Sequence, residues 1–223
     1  MPEDYKNPTA NSLTKKMHLS KETVAKEGSS HGVIYTALDE QSPSYSKEDL
    51  KTLLETTECF DCNLSGVNLA KMDLSGFDFT GSDLRGANFE GADLSRARFQ
   101  DSNLADVNFA GAFLERTYFE NAYINGGDFS GVTLHKTAFF HTTLTGTNLE
   151  NAKLSHAIIN STVFDGVNMT GADLSDTQFN NIEVRETRFE GANLKNAKGF
   201  DLEYIEASDL CNATLPDGTY HDC

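Results

Sequence analysis

Counting from Leu64 in steps of five, the chain places a large apolar residue at every stop for 27 stops, ending at Leu194. Of these centres, 23 are Leu or Phe and none is polar. Two residues before each centre the side chain is small, being Ala, Thr, Val, Ser, Gly or Cys in 24 of 27 units. Two residues after it, Gly, Asn or Asp stands at 19 of 27 positions, the residue types that tolerate the positive φ of a tight corner. Neither the 3.6-residue period of a helix nor the two-residue period of a plain strand accommodates this rhythm. The chain must instead coil, each unit turning through about a right angle, with the large and small positions facing inward and the other three facing out.

Four such units close one coil, so residues twenty apart should stack, and the columns sort by type. Centres 74, 94, 114, 134, 154, 174 and 194 are all Leu, while 79, 99, 119, 139 and 179 are Phe, with Ile159 the exception. Ladders of like shape favour close packing between coils. One outward column reads Asn68, Asn88, Asn108, Asp128, Asn148 and Asn168, placed to hydrogen-bond from coil to coil. Units such as Ala87-Asn88-Phe89-Glu90-Gly91 and Ala92-Asp93-Leu94-Ser95-Arg96 resemble the pentapeptide-repeat family. That resemblance implies an all-β fold, a right-handed quadrilateral parallel β-helix of seven to eight coils with a short N-terminal helical cap. Cys59-Phe60-Asp61-Cys62-Asn63-Leu64 and Leu210-Cys211-Asn212-Ala213-Thr214-Leu215-Pro216-Asp217-Gly218 resemble the ends of cyanobacterial and plastid members.

A solenoid needs its ends covered, because unpaired strands would recruit other chains. Ser46 reads as an N-cap ahead of acidic Glu48 and Asp49, and Leu50, Leu53 and Leu54 share the face expected to cover the first coil. The organisation read from the sequence is an irregular arm over 1–45, with room for a short helix after Ser20, then a helical cap over 46–61. The solenoid follows over 62–197, and a last coil with its cap over 198–223. Beyond Leu194 the register slips by one residue near Lys198-Gly199-Phe200, and Ile205, Leu210 and Leu215 resume the spacing. A terminating turn is expected at Pro216-Asp217-Gly218. In a tower of this kind Cys59 and Cys62 lie at one end and Cys211 and Cys223 at the other, too far apart to bridge across. Cys211 with Cys223 would clamp the C-terminal cap; Cys59 with Cys62 would close a tight loop or stay reduced.

Chemistry is sparse. There is no phosphate loop, nucleophile elbow or HExxH, and the carboxylates sit at outward repeat positions. Among the six histidines, His135 and His156 are outward on successive coils and His141 lies near a corner, without a carboxylate or thiolate placed to complete a ligand set. The Cys59–Cys62 pair lacks a second ligand pair for zinc. The sequence therefore reads as no enzyme, with no cofactor and no metal. A net charge of -16 argues against direct nucleic-acid binding, which needs clustered Lys and Arg. No apolar run is long enough for a membrane span. The chain reads as soluble, either cytoplasmic or, if a targeting segment has been removed, of a thylakoid lumen or periplasm.

The outward residue before each centre is usually Asp or Asn early in the tower but becomes Phe113, Tyr118, Tyr123, Ala138, Ile158 and Val163 from its middle. Column arithmetic aligns Tyr118, Ala138 and Ile158 on one side with Phe140 beside them, and Tyr123, Thr143 and Val163 on the next. An apolar patch there is a candidate protein-interaction site comprising Phe113, Tyr118, Tyr123, Phe140, Ile158 and Val163. The expected function is a non-enzymatic scaffold or interaction module for a protein partner, itself a monomer or weak homodimer. The competing expectation is an acidic DNA mimic that binds DNA gyrase or topoisomerase, like the quinolone-resistance members of the family.

Overall fold

The computed structural model describes residues 44–201 and 210–222. The arm before Ser44, the expected Ile205 position and Cys223 lie outside the described residues. Within them the chain is a parallel β-solenoid capped by one helix, α1 (Lys47–Thr56). Six three-residue strands stand out from a ladder of single bridges: β1 (Tyr118–Glu120), β2 (Ala138–Phe140), β3 (Ile158–Asn160), β4 (Val163–Asp165), β5 (Gln178–Asn180) and β6 (Glu183–Arg185). Each pairs in parallel with the residue twenty positions on, as Tyr118 with Ala138 and Ala138 with Ile158. One column runs without a gap through Glu58, Asp78, Arg98, Tyr118, Ala138, Ile158, Gln178 and Lys198. Its first rung, Glu58, lies in the stretch the sequence assigned to the helical cap, so Thr57 and Cys59 already occupy inward positions there and are buried.

The ladders form as the columns require. Rings of Phe79, Phe99, Phe119 and Phe139 stack face to face at centroid separations of 4.9, 5.2 and 4.9 Å, nearly coplanar. A second stack, Phe89, Phe109 and Phe129, meets the first edge-on. The small position matters because it lets these rings fill the interior. Thr117, Thr137 and Thr177, buried there, direct their hydroxyls to carbonyls 23 residues back and so remain satisfied.

Corners are where the backbone must be accounted for. The residue two past each centre has positive φ throughout, from Gly66 at 68° to Asn196 at 61°, while the residue before it does not. At most corners the N–H three residues past the centre donates to the centre's carbonyl, as Ala87 N to Leu84 O at 3.0 Å, which defines a type II turn. That leaves one N–H, on the residue after the centre, without a backbone partner. The Asp or Asn before the centre accepts it: Asn88 Oδ1 from Glu90 N at 3.0 Å, Asn108 Oδ1 from Ala110 N at 2.9 Å. The same amides reach between coils, Asn108 Nδ2 donating to Asn88 Oδ1 at 3.1 Å and Asn168 Nδ2 to Asn148 Oδ1 at 3.1 Å. Asp128 accepts from Asn148 but has no hydrogen to pass to Asn108, so the relay breaks there.

Both described ends are covered. Ser46 caps α1 by accepting from Asp49 N at 3.1 Å, and Thr57 in a left-handed conformation closes it onto the Leu53 carbonyl. Leu50 and Leu53 are buried against the first coil and Leu54 is partly buried. The cap also supplies what a preceding coil would: Ser46 N donates to Asn63 O, and the Asp49 carboxylate accepts from Asn63 N at 2.8 Å. Cys59 and Cys62 form a disulfide across the first corner, where Ser82 Oγ donates to Cys59 O and accepts from Cys62 N. Cys211 is also disulfide-bonded.

At the other end the register slips by one, as the spacing predicts: Asn193 pairs with Thr214, a step of 21. Gly199 takes the position a Phe would hold, since a Cβ there would collide with the Phe179 carbonyl, and Phe200 fills the vacancy against Phe179 and Phe189 at 5.3 Å each. The turn at Leu215–Gly218 then reverses the chain into a hairpin, with Thr214 paired antiparallel to Tyr220.

Two stability measurements follow. Phe119→Ala removes a ring from the middle of the stack and is expected to cost about 3–5 kcal/mol in urea denaturation. Asn88→Ala is expected to cost about 1 kcal/mol and to speed hydrogen exchange at the Glu90 amide, whereas Thr143→Ala changes stability by less than about 0.5 kcal/mol. Equal losses at Asn88 and Thr143 would show that the outward amides cap nothing.

Candidate functional site

Apart from Phe113, which precedes the closed corner of Leu114, the apolar outward residues coincide with a change in the corners. After Phe119, Ile124, Phe139, Leu144, Ile159, Phe164, Phe179 and Val184 the turn hydrogen bond is absent. These corners belong to two adjacent sides only. On the same two sides the last closed corners are already long, Ser102 N to Phe99 O at 3.4 Å and Val107 N to Leu104 O at 3.3 Å. All six strands lie on these sides, and in them the residue after the centre joins the ladder, as Glu120 opposite Phe140. Where one strand lies on another, as Phe140 on Glu120, that residue is part of the ladder, and the position before the centre is released from Asp and Asn, as at Ala138 and Ile158.

The released positions assemble as the column arithmetic predicts. Tyr118, Ala138 and Ile158 align on one side, and Tyr123, Thr143 and Val163 on the next. Phe140 packs its ring on Tyr118 at a centroid distance of 5.6 Å. Tyr123 is 48% exposed and Ile158 41%, whereas Tyr118, Phe140 and Val163 are half-buried by one another and by the coil walls. Phe113, 53% exposed, is not part of this seam: it sits on the side before Tyr118, in a column between Asp93 and Thr133. Burial and a 3.1 Å hydrogen bond to the Glu120 carboxylate push the Tyr118 phenol above the usual tyrosine range.

Between Phe113 and Tyr118 runs a corner column that sequence reading passed over. Arg96, Arg116, Lys136 and His156 occupy it on successive coils, all exposed and all with φ near +60°. Their N–H groups donate in order to Glu115, His135, Ser155 and Ser175 carbonyls, which fixes the vertical alignment. The twenty-residue spacing of these four is visible in the sequence, although a cation at the corner position breaks no strict rule of the repeat.

His135 lies beside this column, its ring edge-on to His156 at 5.2 Å and its Nδ1 3.0 Å from Ser155 Oγ. Among the described residues no three His, Cys, Asp or Glu side chains are grouped to hold a metal ion. His141 lies at a corner with φ of 53°, away from that pair. Elsewhere the surface is acidic and locally paired: the Arg85 guanidinium, bonded to Asp83, holds that carboxyl below its ordinary value. No described helix is long and apolar enough to cross a membrane.

A family model described as pentapeptide repeats matches the chain in eight copies over residues 62–101, 102–139, 134–171 and 172–198. None of the curated proteins matches. Among solved structures, HetL of Nostoc sp. strain PCC 7120, a pentapeptide repeat protein involved in heterocyst differentiation regulation, is 20% identical. The match covers 70% of this chain and 92% of that one, with a TM-score of 0.36. Rfr23 of Cyanothece 51142 is 26% identical over 61% of this chain and 93% of its own, with a TM-score of 0.33. A pentapeptide repeat protein of the Arabidopsis thaliana thylakoid lumen is 34% identical over 54% of this chain and 68% of its own, with a TM-score of 0.29. The family match spans more than half of the chain and agrees with the five-residue units, the inward ladders and the corners described above: the chain belongs to the pentapeptide-repeat family.

Proposed function

We propose that the chain is a non-enzymatic scaffold that docks a protein partner through the Tyr118–Val163 seam. The observation that carries this reading is the coincidence of open corners with the exposed apolar side chains of Tyr123 and Ile158 on two adjacent sides of the tower. Elsewhere the outward Asp and Asn serve the backbone. In the seam, the outward residues have no such duty, and Tyr123 and Ile158 remain in contact with water. Aromatic and aliphatic side chains held on a rigid ladder lose little conformational freedom on docking, which favours recognition. Phe113, around the corner, would extend the contact to a third side.

The test is a capture experiment with the full chain against a Tyr118→Ser, Phe140→Ser, Ile158→Ser variant. All three side chains point outward, so the variant should melt as a folded protein. Loss of a partner that the native chain retains is the expected result; a folded variant that keeps every partner sinks the reading. The second reading, a gyrase-directed DNA mimic, draws on the net charge of -16. The row of cations beside the seam counts against it, because a mimic of a phosphate backbone would carry negative charge on every side. Gyrase supercoiling is therefore expected to be unaffected by micromolar protein; inhibition would favour the mimic.

A further inference from the structure

We infer that the corner between Phe113 and Tyr118 recognises an acidic segment of the docked protein, one whose carboxylates alternate with apolar side chains; this rests on the docking reading above. The protein as a whole is strongly acidic, with a net charge of -16. Yet Arg96, Arg116 and Lys136 stack on three successive coils, with His156 on the fourth. Adjacent coils lie about 4.8 Å apart, so these cations repel one another. Among the described residues neither Arg96 nor Lys136 has an ion-pair partner. Arg116 faces only the exposed Glu115 of its own unit, at 3.7 Å. Arg98, one column over, keeps a loose contact with Asp78 at 3.8 Å.

Nothing in the tower's own stability calls for cations at these positions. All four residues adopt positive φ between 58° and 64°, a conformation that Gly takes without strain at Gly76, Gly91, Gly111 and Gly131. A column of glycines would be relaxed and uncharged. What the cations do supply is a basic strip flanked by apolar surface, Phe113 on one side and Tyr118, Ala138 and Ile158 on the other. A peptide bearing carboxylates and apolar side chains matches both features. A nucleic acid matches only the first, because its phosphates would continue past this short strip onto the surrounding acidic surface.

Fluorescence anisotropy with the full chain tests the inference, using labelled probes made of Glu-Leu-Glu-Tyr repeats, Lys-Leu-Lys-Tyr repeats, and an oligothymidylate. The net charge alone would favour the Lys probe; the cation column favours the Glu probe, expected to bind at least about tenfold more tightly than either other probe. The discriminating variant is Arg96→Gly, Arg116→Gly, Lys136→Gly, which relieves backbone strain and should melt no lower than the native chain. It is expected to lose about tenfold or more in affinity for the Glu probe. No binding of the Glu probe, tighter binding of the Lys probe or the oligothymidylate, or full retention by the glycine variant would each overturn the inference. The two readings separate cleanly. If the Tyr118→Ser, Phe140→Ser, Ile158→Ser variant loses the Glu probe but the glycine variant does not, the seam docks and the acidic preference falls. If the glycine variant loses it and the serine variant does not, the cation column stands and the apolar seam falls.

Discussion

Every other property of this protein depends on one backbone requirement: a strand two or three residues long can be satisfied only by the strand twenty residues before it and the one twenty residues after. No unit holds itself together. The coil-to-coil hydrogen bonds at 2.7–3.3 Å therefore set the vertical spacing, and the spacing decides which side chains meet. Phenylalanine rings stack because their units are locked in step, and the inward Thr hydroxyls find carbonyls 23 residues back for the same reason. The ends become the weak points of such an arrangement, and α1 answers by lending Ser46 N and the Asp49 carboxylate to Asn63 in place of an absent coil.

Within that frame the corners have two solutions. A closed type II corner leaves an N–H outside the ladder, which Asp or Asn accepts where one precedes the centre; six of the eight open corners instead place the residue after the centre in a short strand. The outward residue is thus a structural part on some sides and a free choice on others. This makes Ala138 and Ile158 a local consequence of backbone geometry, whereas Tyr118 and Tyr123 stand above closed corners at the foot of each open run. The change is confined to two adjacent sides, and once a strand has formed it presents the next coil with a strand to pair against, from β1 to β5 on one side and from β4 to β6 on the other.

Much of this was legible in the sequence, because inward positions obey a strict rule. The Leu and Phe columns, the Asn column and the alignment of Tyr118 with Ile158 could all be read by counting twenties. The slip near Gly199 was legible too, since Leu215 stands one residue late. The unit around Cys59 was not, because Cys59 stands where later units carry a large centre, and a disulfide together with Ser82 replaces the ordinary turn bond. Corner type was hidden for a different reason. Both kinds carry positive φ at the same position, so Gly, Asn and His141 there look alike, and the loss of Asp or Asn three residues earlier does not separate them, since Phe113, Thr133 and Lys153 precede closed corners. Arg96, Arg116 and Lys136 escaped notice because a cation at a corner departs from a tendency rather than a rule.

A tower of interchangeable units has no inherent length, since each coil offers the next the same surface that it received. The extra residue at Phe200 does not end that indifference, for Thr214 stands over Asn193 and Leu215 therefore falls in the row of Leu194. The hairpin through Tyr220 then turns the chain against its own direction of growth. A second copy approaching this end meets a strand running the other way, so the hairpin acts as a full stop to a structure built for repetition.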